Sequence, residues 1–406
     1  MTVALTFGQL LTAASSFVVN LLSSSVLLPE ARGSLALLLQ ITYLFAIIAV
    51  LGVERPFLRR VQGSFQHALR SYISLTRIGS LIVFIPALGA IFYLFDRDFS
   101  MAVALFAMGF FIVFNTVGKG VRVASIASSD VKIFVVNVMI VQIGTILMAV
   151  LLAGFNVKSA TVWYLGYTIS GALVLVLFLV RSSSVSPPDF DPAWRKEIRS
   201  AGLRLLPASF GNTAMVRSDR LILPVLAGTA QLGIYTVVAT VMEIATWPIK
   251  QWVDSSLHRW SQSQPNKGLP LSVVLKTGAL AAAFSALLSV VLGLVAFASI
   301  EWFFPEEYAP ATNLIVPLGV ASVVYAVSRT QQGMLVAEGY AGRVSFVELS
   351  GMIFSVGAYL VLIPPFGALG AAYGSIIGYF ITVLVGLAVH IFARRGRSKP
   401  QKNLTR

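Results

Sequence analysis

The chain has 406 residues, 57% of them hydrophobic and only 11% charged, against roughly 25% charged in an average soluble domain. It has no cysteine, which excludes disulfides, thiolate catalysis and cysteine metal sites, and His67, His258 and His390 lack paired ligand spacing, so no metal site is expected. The net charge of +14 must be located before it is read as affinity for nucleic acid, because basic loops beside apolar spans are the usual mark of membrane topology.

Apolar runs of about 18 to 25 residues can cross roughly 30 Å of hydrocarbon as helices. Twelve are expected, over residues 4–27, 35–53, 78–95, 101–117, 133–155 and 161–180, then 203–227, 232–253, 272–300, 311–328, 344–363 and 369–392. The fold class is therefore an all-α polytopic membrane protein. The first run follows no basic segment and precedes no small-residue cleavage site, so it reads as a retained helix rather than a signal peptide.

Alternate loops sort the basic residues. Twenty-five of the thirty fall on one side, from Arg55 and Arg59 in the first loop to the tail after Phe392, while the opposite loops hold only Arg32, Arg97 and Lys158. The positive side faces the cytoplasm. Both termini are thus expected there, in a multi-pass protein of the inner membrane. Because the charges follow sidedness instead of forming a stripe interleaved with stacking aromatics, no nucleic-acid partner is expected. Gly118-Lys119-Gly120 lacks the rest of a phosphate loop, so no ATP site or other cofactor is expected either.

The longest polar linker, residues 181–200 with Pro187, Pro188 and Pro192, separates six expected helices from six. The expected organisation is an N-terminal lobe over 1–190, a C-terminal lobe over 191–393 and a basic cytoplasmic tail over 394–406. An offset of 200 residues sets Gly33 on Gly233, Gln40 on Thr240, Tyr43 on Glu243 and Glu54 on Asp254. Since six is even, the halves would be parallel repeats, with substrate expected between them.

Within the spans a few polar side chains stand out, since a charge at the centre of a membrane helix costs roughly 2.5 to 3.5 kcal/mol. On the first helix Gln9, Thr12, Ser16, Asn20 and Ser23 share a face. On the seventh, Arg217 and Arg220 share a face and Asp219 points well away from Arg217. The eighth carries Thr236, Glu243, Trp247, Lys250 and Asp254 in one stripe, with Pro248 offering a kink. The eleventh adds Ser345, Glu348, Ser355 and Tyr359. For the hydroxyls the simpler reading is hydrogen-bonded glue between helices; for Arg217, Arg220 and Glu243 it is a transport pathway.

The segment Arg217-Ser-Asp-Arg-Leu-Ile-Leu-Pro-Val-Leu-Ala-Gly-Thr-Ala-Gln-Leu-Gly-Ile-Tyr resembles the helix 7 to 8 region of bacterial polysaccharide flippases, in the multidrug/oligosaccharidyl-lipid/polysaccharide exporter superfamily. Phe17-Val-Val-Asn-Leu-Leu with Pro29-Glu-Ala-Arg-Gly, and Glu338-Gly-Tyr-Ala-Gly-Arg, are similar to further stretches of that family. The resemblance implies a non-enzymatic exporter that carries an undecaprenyl-diphosphate-linked oligosaccharide to the outer leaflet for cell-surface polysaccharide synthesis. Arg217 and Arg220 would hold the diphosphate, because guanidinium groups pair bidentately with phosphate oxygens. Asp219 would contribute to the same site, with Gln9, Asn20, Gln40, Tyr43 and Trp247 as sugar contacts. Its lipid tail would lie among membrane lipids. Glu243 and Asp219 are the expected partners of a coupling H⁺ or Na⁺. The alternative is a cation-coupled multidrug and toxic compound extrusion antiporter, a function that two arginines at the site would disfavour for cationic drugs. A membrane polymerase or ligase is a further rival, opposed by the short external loops, and a non-transporting scaffold is another.

Overall fold

The structure, a computed structural model, describes residues 2–61, 63–175, 192–263 and 269–397. Those residues are helical almost throughout and contain no strand. In chain order the helices are α1 (Thr2–Val26), α2 (Pro29–Ala49), α3 (Glu54–Arg60), α4 (Phe65–Thr76), a 3₁₀ turn (Gly79–Val83), α5 (Phe84–Phe95), α6 (Phe99–Ala127), α7 (Val131–Gly154) and α8 (Ala160–Ala172). They continue as α9 (Pro192–Ala227), α10 (Thr229–Ile244), α11 (Trp247–Ser263), α12 (Leu271–Phe303), a 3₁₀ stretch (Glu306–Leu314), α13 (Ile315–Ala337), α14 (Ala341–Phe366) and α15 (Ala368–Arg397).

By length and composition, eight of the described helical stretches can cross a membrane, or nine if Phe65–Thr76 and Gly79–Phe95, bent by 56°, form one span. The chain is a multi-pass membrane protein. The other segments read as spans have particular reasons for falling short. The apolar part of α1, Leu10–Val26, is brief, α8 covers 13 residues before residues 176–191, which lie outside the described set, and α9 carries Arg204, Arg217, Asp219 and Arg220 within the expected span. Large apolar side chains such as Phe92, Leu287, Leu294 and Val361 are half or more exposed, as a lipid-facing surface requires.

The chain divides into two compact units, Met1–Thr213 and Ala214–Arg406. The division falls inside α9; most of the linker 181–200 lies outside the described residues.

In the first unit, Val19, Leu27, Leu35, Met108, Ile112 and Trp163 form one core cluster and Val53, Phe57, Leu69, Tyr72, Val121 and Ile198 another. Helix starts follow local chemistry: Asp98 accepts from the Met101 backbone N–H at 3.0 Å and so caps α6, while Pro29, with no N–H to lose, sits at the first turn of α2. The Arg199 guanidinium donates to the carbonyls of Leu75 (3.0 Å) and Ser74 (2.9 Å), which satisfies backbone oxygens at the end of α4. Close beside it, α9 runs against the turn after α2. A Cβ on Gly202 would stand 2.6 Å from the Leu51 carbonyl oxygen and 2.8 Å from Val53 Cγ1, and neither backbone nor packed side chain can withdraw cheaply. Gly202→Ala is therefore expected to cost about 1–3 kcal/mol and to lower the thermal unfolding midpoint in detergent; an unchanged midpoint would mean that this turn yields.

In the second unit, α14 and α15 form a hairpin that reverses at Gly367, φ +55°. The small residues near that turn serve packing: a Cβ on Gly370 would meet the Leu362 carbonyl oxygen at 2.1 Å. The Gln231 side chain on α10 accepts from the Ala368 N–H at 3.0 Å, which ties α10 to the hairpin. At the opposite end of α13, Glu338 accepts from the Leu269 N–H at 2.7 Å and lies 3.9 Å from His390 on α15.

Candidate functional site

Residues three apart on a helix share a face, and in the second unit Arg217 and Arg220 of α9 both reach the carboxylate of Glu243, in the last turn of α10. Arg220 Nη2 lies 2.5 Å from Oε1, and Arg217 Nη2 lies 3.4 Å from Oε2. One carboxylate thus bridges two guanidinium groups. Arg220 is buried, whereas the side chains of Arg217 and Glu243 remain 30% and 27% exposed. The cluster is open on the Arg217 side.

Asp219 stands on another face, as 100° per residue requires. It is buried; Oδ2 accepts from the Tyr235 hydroxyl at 2.5 Å and Oδ1 from the Arg220 backbone N–H at 2.8 Å. Its carboxylate therefore braces α9 against α10 instead of joining the Glu243 bridge.

Pro248 has no N–H to continue the helical ladder, and the expected break is there. α10 ends at Ile244 and α11 begins at Trp247. Between them the Ala245 N–H bonds to the Met242 carbonyl at 3.1 Å, and the Thr246 hydroxyl donates to the Glu243 carbonyl at 2.8 Å. The break splits the expected stripe. Glu243 turns to the arginines, Lys250 lies 5.2 Å from the Tyr325 ring centroid, and Asp254 reaches Arg329 at 3.4 Å. Thr236 is buried and donates to the Gly233 carbonyl at 3.2 Å, a local bond within its own helix. Trp247 is half-buried at the start of α11. On α14 Ser355 and Tyr359 are buried, with the Tyr359 hydroxyl 2.9 Å from Ser375 Oγ on α15, whereas Ser345 is exposed.

The remaining expected contacts lie in the first unit. Gln40 is buried, and Tyr43 is exposed and packs near Phe111, ring centroids 6.3 Å apart. The Gln9 side chain lies outside the described residues. Asn20 is buried, and its Oδ1 accepts from Arg32 Nη2 at 2.7 Å. Arg32 also approaches Ser24 Oγ at 3.4 Å. It is a buried residue inside α2 and not the loop cation that the sequence count made of it; Pro29, three residues earlier, was the available signal that a helix had begun. Thr12 and Ser23 bond to backbone carbonyls of their own helix, Gly8 at 2.9 Å and Asn20 at 3.2 Å. A separate furrow of about 630 Å³ runs between α5, α6 and α8, lined by apolar side chains such as Leu94, Val103, Phe106 and Ile169.

The site thus gathers Arg217, Arg220 and Glu243, sets Asp219 behind them, and leaves Asn20, Gln40 and Tyr43 in the other unit. Counting Lys250, three cations and two carboxylates give this region of the second unit a formal charge of +1. Chemically it is a pair of guanidinium groups held in place by one shared carboxylate.

Comparison with solved structures bears on the fold. The chain matches the inward-facing conformation of a multidrug resistance MATE family transporter of the MOP superfamily with a TM-score of 0.70 at 14% identity, over 96% of each chain. It matches the inward closed conformation of the lipid II flippase MurJ with a TM-score of 0.66 at 13% identity, over 97% of this chain and 90% of that one. A MATE crystallised with Br-NRF gives 0.59 at 17% identity, over 98% and 96%. No family model matches the sequence, and no curated protein matches it significantly. The fold is the helical one of MATE and MurJ transporters; which cargo it serves depends on the side chains it displays.

Proposed function

We propose that this chain is a flippase of the inner membrane that moves an undecaprenyl-diphosphate-linked oligosaccharide from the cytoplasmic to the outer leaflet for cell-surface polysaccharide synthesis. It crosses the membrane twelve times, with both termini in the cytoplasm, and makes or breaks no bond. The observation that carries the reading is the arginine pair: two guanidinium groups on one face of a membrane helix, both turned to one carboxylate. Two such forks suit the oxygens of a diphosphate and repel a cation. Gln9, Gln40, Tyr43 and Trp247 are the proposed sugar contacts, with Asn20 acting through Arg32. The apolar furrow beside α6 offers a wall for lipid chains.

Proteoliposomes test this directly. A labelled polyprenyl-diphosphate oligosaccharide in the inner leaflet is expected to reach the outer leaflet, and a cationic dye is expected to stay where it is. Dye efflux without lipid movement would sink the flippase and leave the second reading, a multidrug and toxic compound extrusion antiporter. That reading is favoured by the fold match to the MATE transporter. It would assign Asp219 and Glu243 to H⁺ or Na⁺.

Orientation has its own test, made clean by the absence of native cysteine. In intact cells a cysteine introduced at Ser64 should be shielded from an impermeant thiol reagent, and one at Thr229 should be labelled. The reverse pattern would overturn the sidedness.

A further inference from the structure

Two guanidinium groups held side by side among membrane helices repel each other and have lost much of their hydration, so an arrangement that strips them of a counter-anion is strongly unfavourable. Among the described residues Glu243 supplies such an anion to both, with Oε1 on Arg220 and Oε2 on Arg217. A diphosphate that takes the Nη2 groups of both arginines presents its oxygens to the same N–H groups that Glu243 holds. It cannot do so while Glu243 stays in place. Asp219 is no substitute, because its oxygens are committed to the Tyr235 hydroxyl and the Arg220 backbone N–H. Glu243 is also placed to move. It sits in the last turn of α10, immediately before the break at Ala245 and Thr246, and its side chain is 27% exposed.

We propose that Glu243 is an internal counter-anion that competes with the substrate's diphosphate for Arg217 and Arg220, yielding the pair when cargo binds and reclaiming it when cargo leaves. This rests on the flippase reading and gives it a release step. Reclaiming the arginines keeps them partnered as the diphosphate departs, so binding is weakened in favour of turnover. Interactions that tighten the bound state without lowering the barrier lower KM and do nothing for kcat, and a competitor inside the site works in the opposite sense.

The full chain, purified in detergent, is titrated with inorganic pyrophosphate by calorimetry. Glu243→Gln is expected to bind about tenfold tighter than wild type or better, and in proteoliposomes to show a lower KM together with a lower kcat for flipping. Glu243→Asp keeps the charge but draws it back by one methylene, so it can no longer span both guanidinium groups; it is expected to bind with intermediate affinity. That variant also serves as the test if Glu243→Gln fails to fold. Aspartate binding no tighter than wild type would mean that Glu243 acts through charge repulsion alone or not at all, and would overturn the proposal. Equal or weaker binding by Glu243→Gln would overturn it too, and if wild-type binding still required the arginines the flippase reading would survive. Pyrophosphate binding that is undiminished in the Arg217→Ala, Arg220→Ala double variant, or absent throughout, would remove that reading itself.

Discussion

Arg217→Ala and Arg220→Ala are each expected to abolish flipping in proteoliposomes while the protein still inserts and purifies, and the two Arg→Lys variants are expected to keep an intermediate rate. Hydrogen bonds to charged groups contribute about 1.5–3 kcal/mol each, and a guanidinium fork makes two of them to a phosphate where an ammonium offers a point charge. Losing one arginine thus removes several kcal/mol of substrate contact, while lysine restores the charge without the geometry. The two positions differ in their structural cost. Arg220 is the more buried and lies 2.5 Å from Glu243, against 3.4 Å for Arg217, so Arg220→Ala should unfold at the lower temperature. Loss of folded protein in both alanine variants, restored by neutralising Glu243 as well, would assign the pair a structural role. Folded variants that flip at the wild-type rate would dismiss the anion site.

How far this site was legible follows from what periodicity can express. The common face of Arg217 and Arg220, and the separate direction of Asp219, are properties of one helix and could be read from spacing. The break before Pro248 was equally local, because it follows from a missing N–H. Pairing between helices is a different matter. Glu243 stood out as a charge in a span, but that its two oxygens would divide between two arginines depends on how α9 and α10 pack, which no single-helix pattern encodes. Tyr235 closes the stretch that resembles the flippase family but gave no sign of its partner: a tyrosine in an apolar run looks like core until its hydroxyl is seen on Asp219. Arg32 was misread for a simpler reason. Hydropathy started the second span at Leu35, whereas Pro29 starts the helix six residues earlier and carries Arg32 into a buried position beside Asn20.

Helices were more legible than membrane crossings. The expected segments lie largely on helices where they are described, yet among the described residues hydropathy and length together license only eight or nine spans. α9 is the instructive case. Its expected span carries Arg204 near the start and Arg217, Asp219 and Arg220 within it, so the charges that mark the site are also what keep the stretch from counting as apolar.

Asp219→Asn is expected to lower transport by about tenfold or more and to remove its dependence on the coupling cation, whether H⁺ or Na⁺. The carboxylate is 5% exposed and accepts from one hydroxyl and one backbone N–H. As an acceptor it holds Tyr235 of α10 and the start of the Arg220 backbone at once. A proton on Oδ2 would turn that oxygen from acceptor to donor and force the Tyr235 hydroxyl to reorient, and a sodium ion would compete for the same lone pairs. Either event converts a change of charge into a change of α9–α10 packing. Asparagine keeps one acceptor and substitutes an NH₂ group that cannot accept, so it leaves one of the two donors unsatisfied at a cost of about 1–3 kcal/mol. Tyr235→Phe separates stability from coupling: it removes the hydroxyl, should cost a similar amount of stability, and leaves the charge of Asp219 in place. Transport by the phenylalanine variant should therefore still respond to pH or Na⁺, whereas transport by the asparagine variant should not. If Asp219→Asn moves lipid at the wild-type rate with an unchanged response to both cations, Asp219 is a brace between helices and the coupling site lies elsewhere.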